Sequence, residues 1–356
     1  MNRDRSPVSR RSLIQAAGLG SVGVGLGALA RGEVPAVPAP ALGHSVHAMG
    51  AVGRVSKEIF DPGRFLRAWN FSDLPDAERA RYYSETPRGD GSLLREYQIH
   101  AVDREVEIAP GVYFPAWTYN GQVPGPTLRA TEGDLVRIHF VNQGSHPHTL
   151  HFHGWHPPEM DGTLPEHQVM PGQSFLYEFD ADPYGLHLYH CHAVPLKRHI
   201  HKGLYGVFIV DPRGGRPSAD EMVMVMNAFD TNFDGDNEVY AVNTVAHFHM
   251  GEPIAVELGE RVRIYLVNIT EFDLVNSFHL HGMFFDVYRT GTALTTQETT
   301  DTLMLCQGER AILETTFRYP GLFMFHAHQS EFAELGWMGM FRAGGSAGAN
   351  AHGGHR

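Results

Sequence analysis

Four His-x-His pairs punctuate the chain: His151/His153, His190/His192, His279/His281 and His326/His328. Residues two apart on a β-strand point to the same face, so each pair aims two imidazoles in one direction. One such pair would carry little weight in a chain with 23 histidines, but four at matching positions of a repeat form a constellation. Eight imidazoles without a carboxylate suit copper. Calcium and magnesium take oxygen ligands, and the common non-haem iron site takes two histidines and a carboxylate.

The repeat that carries these pairs sets the architecture. Glu132-Gly-Asp-Leu-Val-Arg-Ile-His-Phe-Val-Asn142 returns as Leu258-Gly-Glu-Arg-Val-Arg-Ile-Tyr-Leu-Val-Asn268, an offset of 126. Leu150-His-Phe-His-Gly154 returns as Phe278-His-Leu-His-Gly282 at 128, and the segment Tyr184–His192 returns as Pro320–His328 at 136. The runs between are short, strand-like and separated by Gly and Pro, which predicts an all-β chain of two tandem β-sandwiches. They span 95–212 and 220–343, and Pro-Arg-Gly-Gly-Arg-Pro-Ser breaks the strand pattern between them.

Cys191 sits between two outward-facing histidines, so parity turns it inward. His148, three residues before His151, points inward by the same argument. Downstream, His199 offers a second imidazole, and Leu204 stands five residues further on, at an axial position. Two histidines and a cysteine with a weak or absent axial ligand make a blue copper electron-transfer centre. In the second repeat the corresponding residues are Asn276, Ala327, Phe332 and Trp337, which cannot make one, so only the first sandwich holds such a site. Cys306 lacks histidine neighbours and reads as a packed core thiol.

Around this frame, composition excludes other classes. With 28 Lys+Arg against 40 Asp+Glu the net charge is −12, which gives a nucleic acid nothing to neutralise. Two cysteines leave no disulfide framework. Ser9-Arg10-Arg11-Ser12 precedes a Gly/Ala-rich apolar run, Ala16–Ala30, which reads as a twin-arginine export signal over residues 1–30. At 15 residues the run is short of the roughly 20 that span a bilayer, so a cleaved leader and a periplasmic or secreted protein are expected, without stable membrane insertion. Residues 31–94 form an extension with a short helix expected at Asp76–Tyr83, and 344–356 a Gly/Ala/His-rich tail expected to be disordered.

His148-Thr-Leu-His-Phe-His-Gly154, together with Tyr189-His-Cys-His192 and His199-x₄-Leu204, resembles the motifs of the multicopper oxidases. The likeness is greatest to the two-domain bacterial members with their blue copper in the first domain. The resemblance covers Glu96 to Phe341. It implies cupredoxin-like Greek-key sandwiches and four coppers per chain. The type 1 copper would lie on His148, Cys191 and His199, with Leu204 replacing the axial Met of many relatives. The type 2 copper would lie on His151 and His279, and the type 3 pair on His153, His190, His192, His281, His326 and His328. It further implies one-electron oxidation of a small-molecule or metal-ion reductant, phenolic by default, coupled to reduction of O2 to water, and a homotrimer. Asp161, in Met160-Asp-Gly162, is the implied proton donor, with Glu331 the weaker candidate. A copper nitrite reductase is the rival enzyme, although that family has an Asp where His151 stands. A non-enzymatic copper-binding protein, drawing on His44, His47, His352 and His355, is the other alternative.

Overall fold

The computed structural model describes residues 60–344; the expected export signal (1–30), residues 31–59 and the tail beyond Gly344 lie outside the described residues. Two β-sandwiches follow one another. In the first, a five-stranded sheet (Tyr83–Pro87, Leu93–Ala109, Val112–Tyr119, Leu135–Asn142, Ser174–Asp180) faces a four-stranded one (Leu128–Thr131, His151–Phe152, Gly185–His190, Tyr205–Asp211). In the second, a six-stranded sheet built on Asp220–Phe229, Arg261–Asn268 and Arg310–Thr316 faces a five-stranded sheet built on Val275–Leu280, Gly321–His326 and Met338–Ala343. Among the described residues no helix is long and apolar enough to cross a membrane.

The apolar alternation on the inner strands explains why the sandwiches adhere. Along Asp220–Phe229, Met222, Met224 and Met226 enter the core of the second sandwich, while Val223 and Val225 enter a different cluster. Along Tyr205–Asp211, Phe208 and Val210 fill the first core, while Tyr205, Val207 and Ile209 turn the other way. The outward sets meet Leu186, Leu188, Tyr265, Val267 and Ile312 in a third core between the two sandwiches. A strand buried on both faces reads as an unbroken apolar run, as Met222-Val-Met-Val-Met226 does.

The extension is a strap across this joint. Pro62–Phe65 forms one helical turn capped by the Asp61 carboxylate, which accepts from the Gly63 and Arg64 amides. Phe65 then packs between the sandwiches, Leu66 in the second core and Phe71 in the first. The helix expected at Asp76–Tyr83 is a single turn, Asp76–Arg79, because Tyr83 is buried and pairs with Tyr97 across the first sheet. Cys306 also departs from expectation and is exposed. In Thr302–Cys306 it is Leu303 and Leu305 that face the core, and parity turns Cys306 outward.

Charge closes the same joint. The Glu221 carboxylate accepts hydrogen bonds from Arg129 of the first sandwich (2.7 Å) and from Arg263 (2.8 Å) and Tyr265 (2.7 Å) of the second. Arg263 is only 2% exposed, and its remaining carboxylate partner is Glu314 at 2.7 Å. Removing one member of a buried charge network strands the others. Glu221→Gln should therefore cost about 3 kcal/mol in urea unfolding, and a loss below about 1 kcal/mol would mean that the network is solvated.

Candidate metal centres

The first centre gathers residues from a loop, a strand end and a helix. His148 bridges to Val169 through both backbone groups just before the two-residue strand His151–Phe152. Cys191 follows the strand Gly185–His190, and His199 sits in the helix Leu196–His201. His148 Nδ1 lies 3.2 Å from His199 Nδ1, and Cys191 Sγ lies 3.2 Å from His199 Nδ1 and 4.0 Å from His148 Nδ1. All three side chains are buried. Burial, with His199 alongside, pushes His148 down to about 3; burial pushes His199 down to about 4 and the Cys191 thiol up to about 11. Two imidazole nitrogens and a sulfur thus converge in their neutral forms without a counter-charge. A soft-accepting cation supplies what they lack, and the donor set is that of copper. Leu204 lies in the same core as Cys191: it is fully buried, its carbonyl accepts from the Cys191 amide (3.0 Å), and its side chain has no lone pair to offer.

The second sandwich repeats this frame without the ligands. The Ala327 amide donates to the Trp337 carbonyl and the Trp337 amide to that of Phe332, as Cys191 does to Leu204 and Leu204 to His199. Trp337 and Phe332 fill the space with aromatic rings.

Two further sets consist of imidazoles alone. His151 pairs in register with His190 across antiparallel strands, and His279 with His326. In the first set, His153 Nε2 and His190 Nε2 approach to 3.3 Å, and the His151 ring lies 5.3 Å from that of His192. In the second, His281 Nε2 and His326 Nε2 approach to 2.9 Å, and His279 lies 5.3 Å from His328. The outer nitrogens are tied to the backbone. His190 Nδ1 donates to the Cys191 carbonyl (3.0 Å), His326 Nδ1 to that of Ala327 (2.6 Å), His151 Nδ1 to that of Asp161 (2.9 Å) and His279 Nδ1 to that of Asp301 (2.8 Å). Each contact fixes the tautomer that leaves Nε2 free as a ligand. Among the described residues, no group of three or more converging ligands mixes the two sets, and His281 and His328 are exposed.

The two acidic candidates fare differently. Asp161 Oδ1 lies 3.1 Å from His151 Nδ1 and 3.6 Å from His156 Nε2. Partial burial pushes its carboxyl up, but the Thr163 hydroxyl and His151 outweigh this and hold it below the usual range. Glu331 is exposed on the helix Ser330–Glu334, and its charge is felt at the Tyr240 hydroxyl. Sequence reasoning missed three positions. Trp117 packs 4.9 Å from the His199 ring, Asp301 repeats the backbone contact of Asp161, and Arg310 of the second sandwich donates to His153 Nδ1 (3.2 Å). Asp301 alone carried a signal, since it lies 22 residues beyond His279 in a repeat that could have been searched for acids.

Models of multicopper oxidase domains match residues 101–215 and 217–345. The chain belongs to the multicopper oxidases. A solved structure described as a multicopper oxidase is 55% identical, with a TM-score of 0.75, over 80% of this chain and 97% of that one. The copper nitrite reductase of Nitrosomonas europaea is 28% identical with a TM-score of 0.65, over 73% of this chain and 97% of that one. The copper-containing nitrite reductase of Neisseria gonorrhoeae is 31% identical over 252 residues, 65% of this chain and 63% of its own length. The fold shared by these proteins is the cupredoxin sandwich, and the family is one of copper oxidoreductases.

The buried imidazoles of this multicopper oxidase predict an acid-sensitive fold. Burial pushes His153 down to about 3 and His187, His190 and His201 to about 4, alongside His148 and His199. Well above pH 6.5 these groups are neutral both folded and unfolded and contribute no slope. Below it the unfolded chain takes up protons that the folded one refuses, so stability falls as pH drops from about 6.5 towards 4. Each group contributes up to about 1.4 kcal/mol per pH unit. The urea midpoint of metal-free protein should therefore drop steeply between pH 6.5 and 5, and a flat profile would show that these rings are solvated.

Proposed function

We propose that the chain is a laccase-like oxidase that couples one-electron oxidation of phenolic, aromatic or metal-ion donors to the four-electron reduction of O2 to water. The observation that carries this reading is the pair of four-imidazole sets at equivalent positions of two sandwiches, beside a buried Cys-His-His set in the first only. Four phenolic donors, each giving up one electron and one proton, balance one O2 converted to two waters.

In this reading His148, Cys191 and His199 would hold a type 1 copper, with no donor from Leu204, and His151 and His279 would hold a type 2 copper. The remaining six pair residues, His153, His190, His192, His281, His326 and His328, hold a type 3 pair, making four coppers per chain. Copper bound there supplies one-electron redox chemistry and a site where dioxygen can be reduced. Cys191 lies between His190 and His192 in the chain, so one peptide step joins the sulfur donor to the imidazole donors on either side. The Asp161 carboxylate, 3.1 Å from His151, holds a proton-exchanging group at the edge of the imidazole set. Among the described residues no group of three or more converging ligands draws on both sets, and His281 and His328 of the second are exposed. This favours a homotrimer in which the first sandwich of one copy faces the second of the next, a heterologous contact that closes under threefold rotation. The Arg10-Arg11 leader fits export of the folded protein to the periplasm or beyond.

Copper-loaded protein should contain four coppers per chain, consume oxygen with 2,6-dimethoxyphenol and show a blue thiolate-to-copper band. Cys191→Ser should abolish the band and leave three coppers. Two coppers per chain with nitrite reduction and no oxygen uptake would favour the nitrite reductase reading instead. Asp161→Asn should slow reoxidation of the reduced protein by O2 tenfold or more in stopped flow, since a positioned carboxylate that accepts and relays protons contributes about 10²–10⁴, while bleaching by the donor stays at the wild-type rate. Unchanged reoxidation would leave Asp161 as a turn residue only.

A further inference from the structure

A cavity of about 530 Å³ opens at the joint of the two sandwiches, beside the helix that carries His199. The helix turns Lys197, Arg198 and His201 to it, with Lys202 just beyond, and loops of the second sandwich bring Phe233 and Phe272 opposite. The cations are held by rings. Lys197 Nζ stands 4.2 Å from the Phe272 centroid, and Lys202 Nζ stands 4.9 Å from Phe114 and 5.1 Å from Phe233. The Arg198 guanidinium lies 5.1 Å over Trp117, the ring that packs against His199. Among the described residues none of the three makes an ion pair.

Two carboxylates also line the cavity and keep their charge, set against three cationic groups. Asp230 accepts from the Asp234 and Gly235 amides (3.2 and 2.8 Å), and Asp234 accepts from the Asp236 amide (3.0 Å). Three cationic groups with free N–H donors therefore share a space with aromatic walls, on a chain whose net charge is −12. Such an arrangement recognises a flat ring that bears a negative charge: the ring packs on the phenylalanines, and the charge meets Lys and Arg. We propose that this cavity binds a small aromatic carboxylate, and that the preferred donors of the proposed oxidase are phenols that carry one. The inference rests on the oxidase reading for its second half only, since binding can be measured without turnover.

The test uses 3,4-dimethoxybenzoate and 3,4-dimethoxybenzamide, which have the same ring but differ in charge and have no phenolic hydroxyl to oxidise. In calorimetric titration of the copper-loaded protein, the benzoate should bind once per chain and at least tenfold more tightly than the amide. Raising salt from 0.02 to 0.5 M, which shortens the screening length several-fold, should narrow that gap. Lys197 and Arg198 are exposed, so Lys197→Gln/Arg198→Gln is expected to fold, and it should erase the benzoate's advantage, whereas Lys197→Arg/Arg198→Lys should keep it. Equal affinity for the two probes in wild-type protein, or an advantage untouched by the Gln pair, overturns the site. Oxygen uptake with neutral 2,6-dimethoxyphenol and its 4-carboxylate separates the two readings. Benzoate binding without uptake from either donor keeps the site and removes the oxidase; uptake without benzoate binding does the reverse. A lower KM for the carboxylated phenol, lost in the Gln pair, supports both.

Discussion

Antiparallel register is the constraint on which the metal centres depend. His151 stands opposite His190, and His279 opposite His326, and because strand side chains alternate, the residue two further on in each chain joins the same face. A slip of one residue in either pairing would send the imidazoles into a hydrophobic core and bring Phe152 and Cys191, or Leu280 and Ala327, to the surface. The core residues therefore enforce the site. Phe152 and Leu280 are each about 1% exposed, and their burial fixes the register that presents the histidines. The carbonyls of Cys191, Ala327, Asp161 and Asp301 then fix which ring nitrogen is offered.

The same alternation joins the two sandwiches. Strands buried on both faces bring the cores together, so the sandwiches are joined by packed Val, Ile, Leu and Tyr side chains and by the Arg129–Glu221–Arg263 network at the joint. A joint so packed leaves little freedom for one sandwich to swing its histidines onto the other. In the proposed assembly a second copy of the chain therefore supplies the other half. The joint also places the aromatic cavity at Lys197 and Phe272 between two bodies fixed relative to each other, with Trp117 between its Arg198 wall and His199.

Much of this was legible in the sequence because it rests on repeats and period two. The four pairs, the tandem sandwiches and the convergence of His148, Cys191 and His199 all follow from spacing and parity, and the blank second site follows from Asn276, Ala327, Phe332 and Trp337. What escaped has identifiable causes. Cys306 was expected inside because buried thiols are common, yet strand parity from Leu303 and Leu305 would have put it outside. Arg310 reaches His153 across the joint from a position with no local signal. The strap of residues 60–75 touches all three cores through single aromatic or aliphatic side chains spaced by Gly, Arg and Asn, a pattern that no periodicity marks.

The claim most open to a direct test is that the two imidazole sets form one centre only between copies of the chain. A His151→Ala/His153→Ala chain and a His279→Ala/His281→Ala chain each lose one half. Co-expressed with distinct affinity tags and purified through both, they form mixed assemblies in which some contacts pair two intact halves. Oxygen uptake by those assemblies with 2,6-dimethoxyphenol should reach a substantial fraction of the wild-type rate, while either parent alone shows none. Mixed assemblies, verified by sedimentation, that stay as inactive as the parents would contradict the account and place the centre within a single chain.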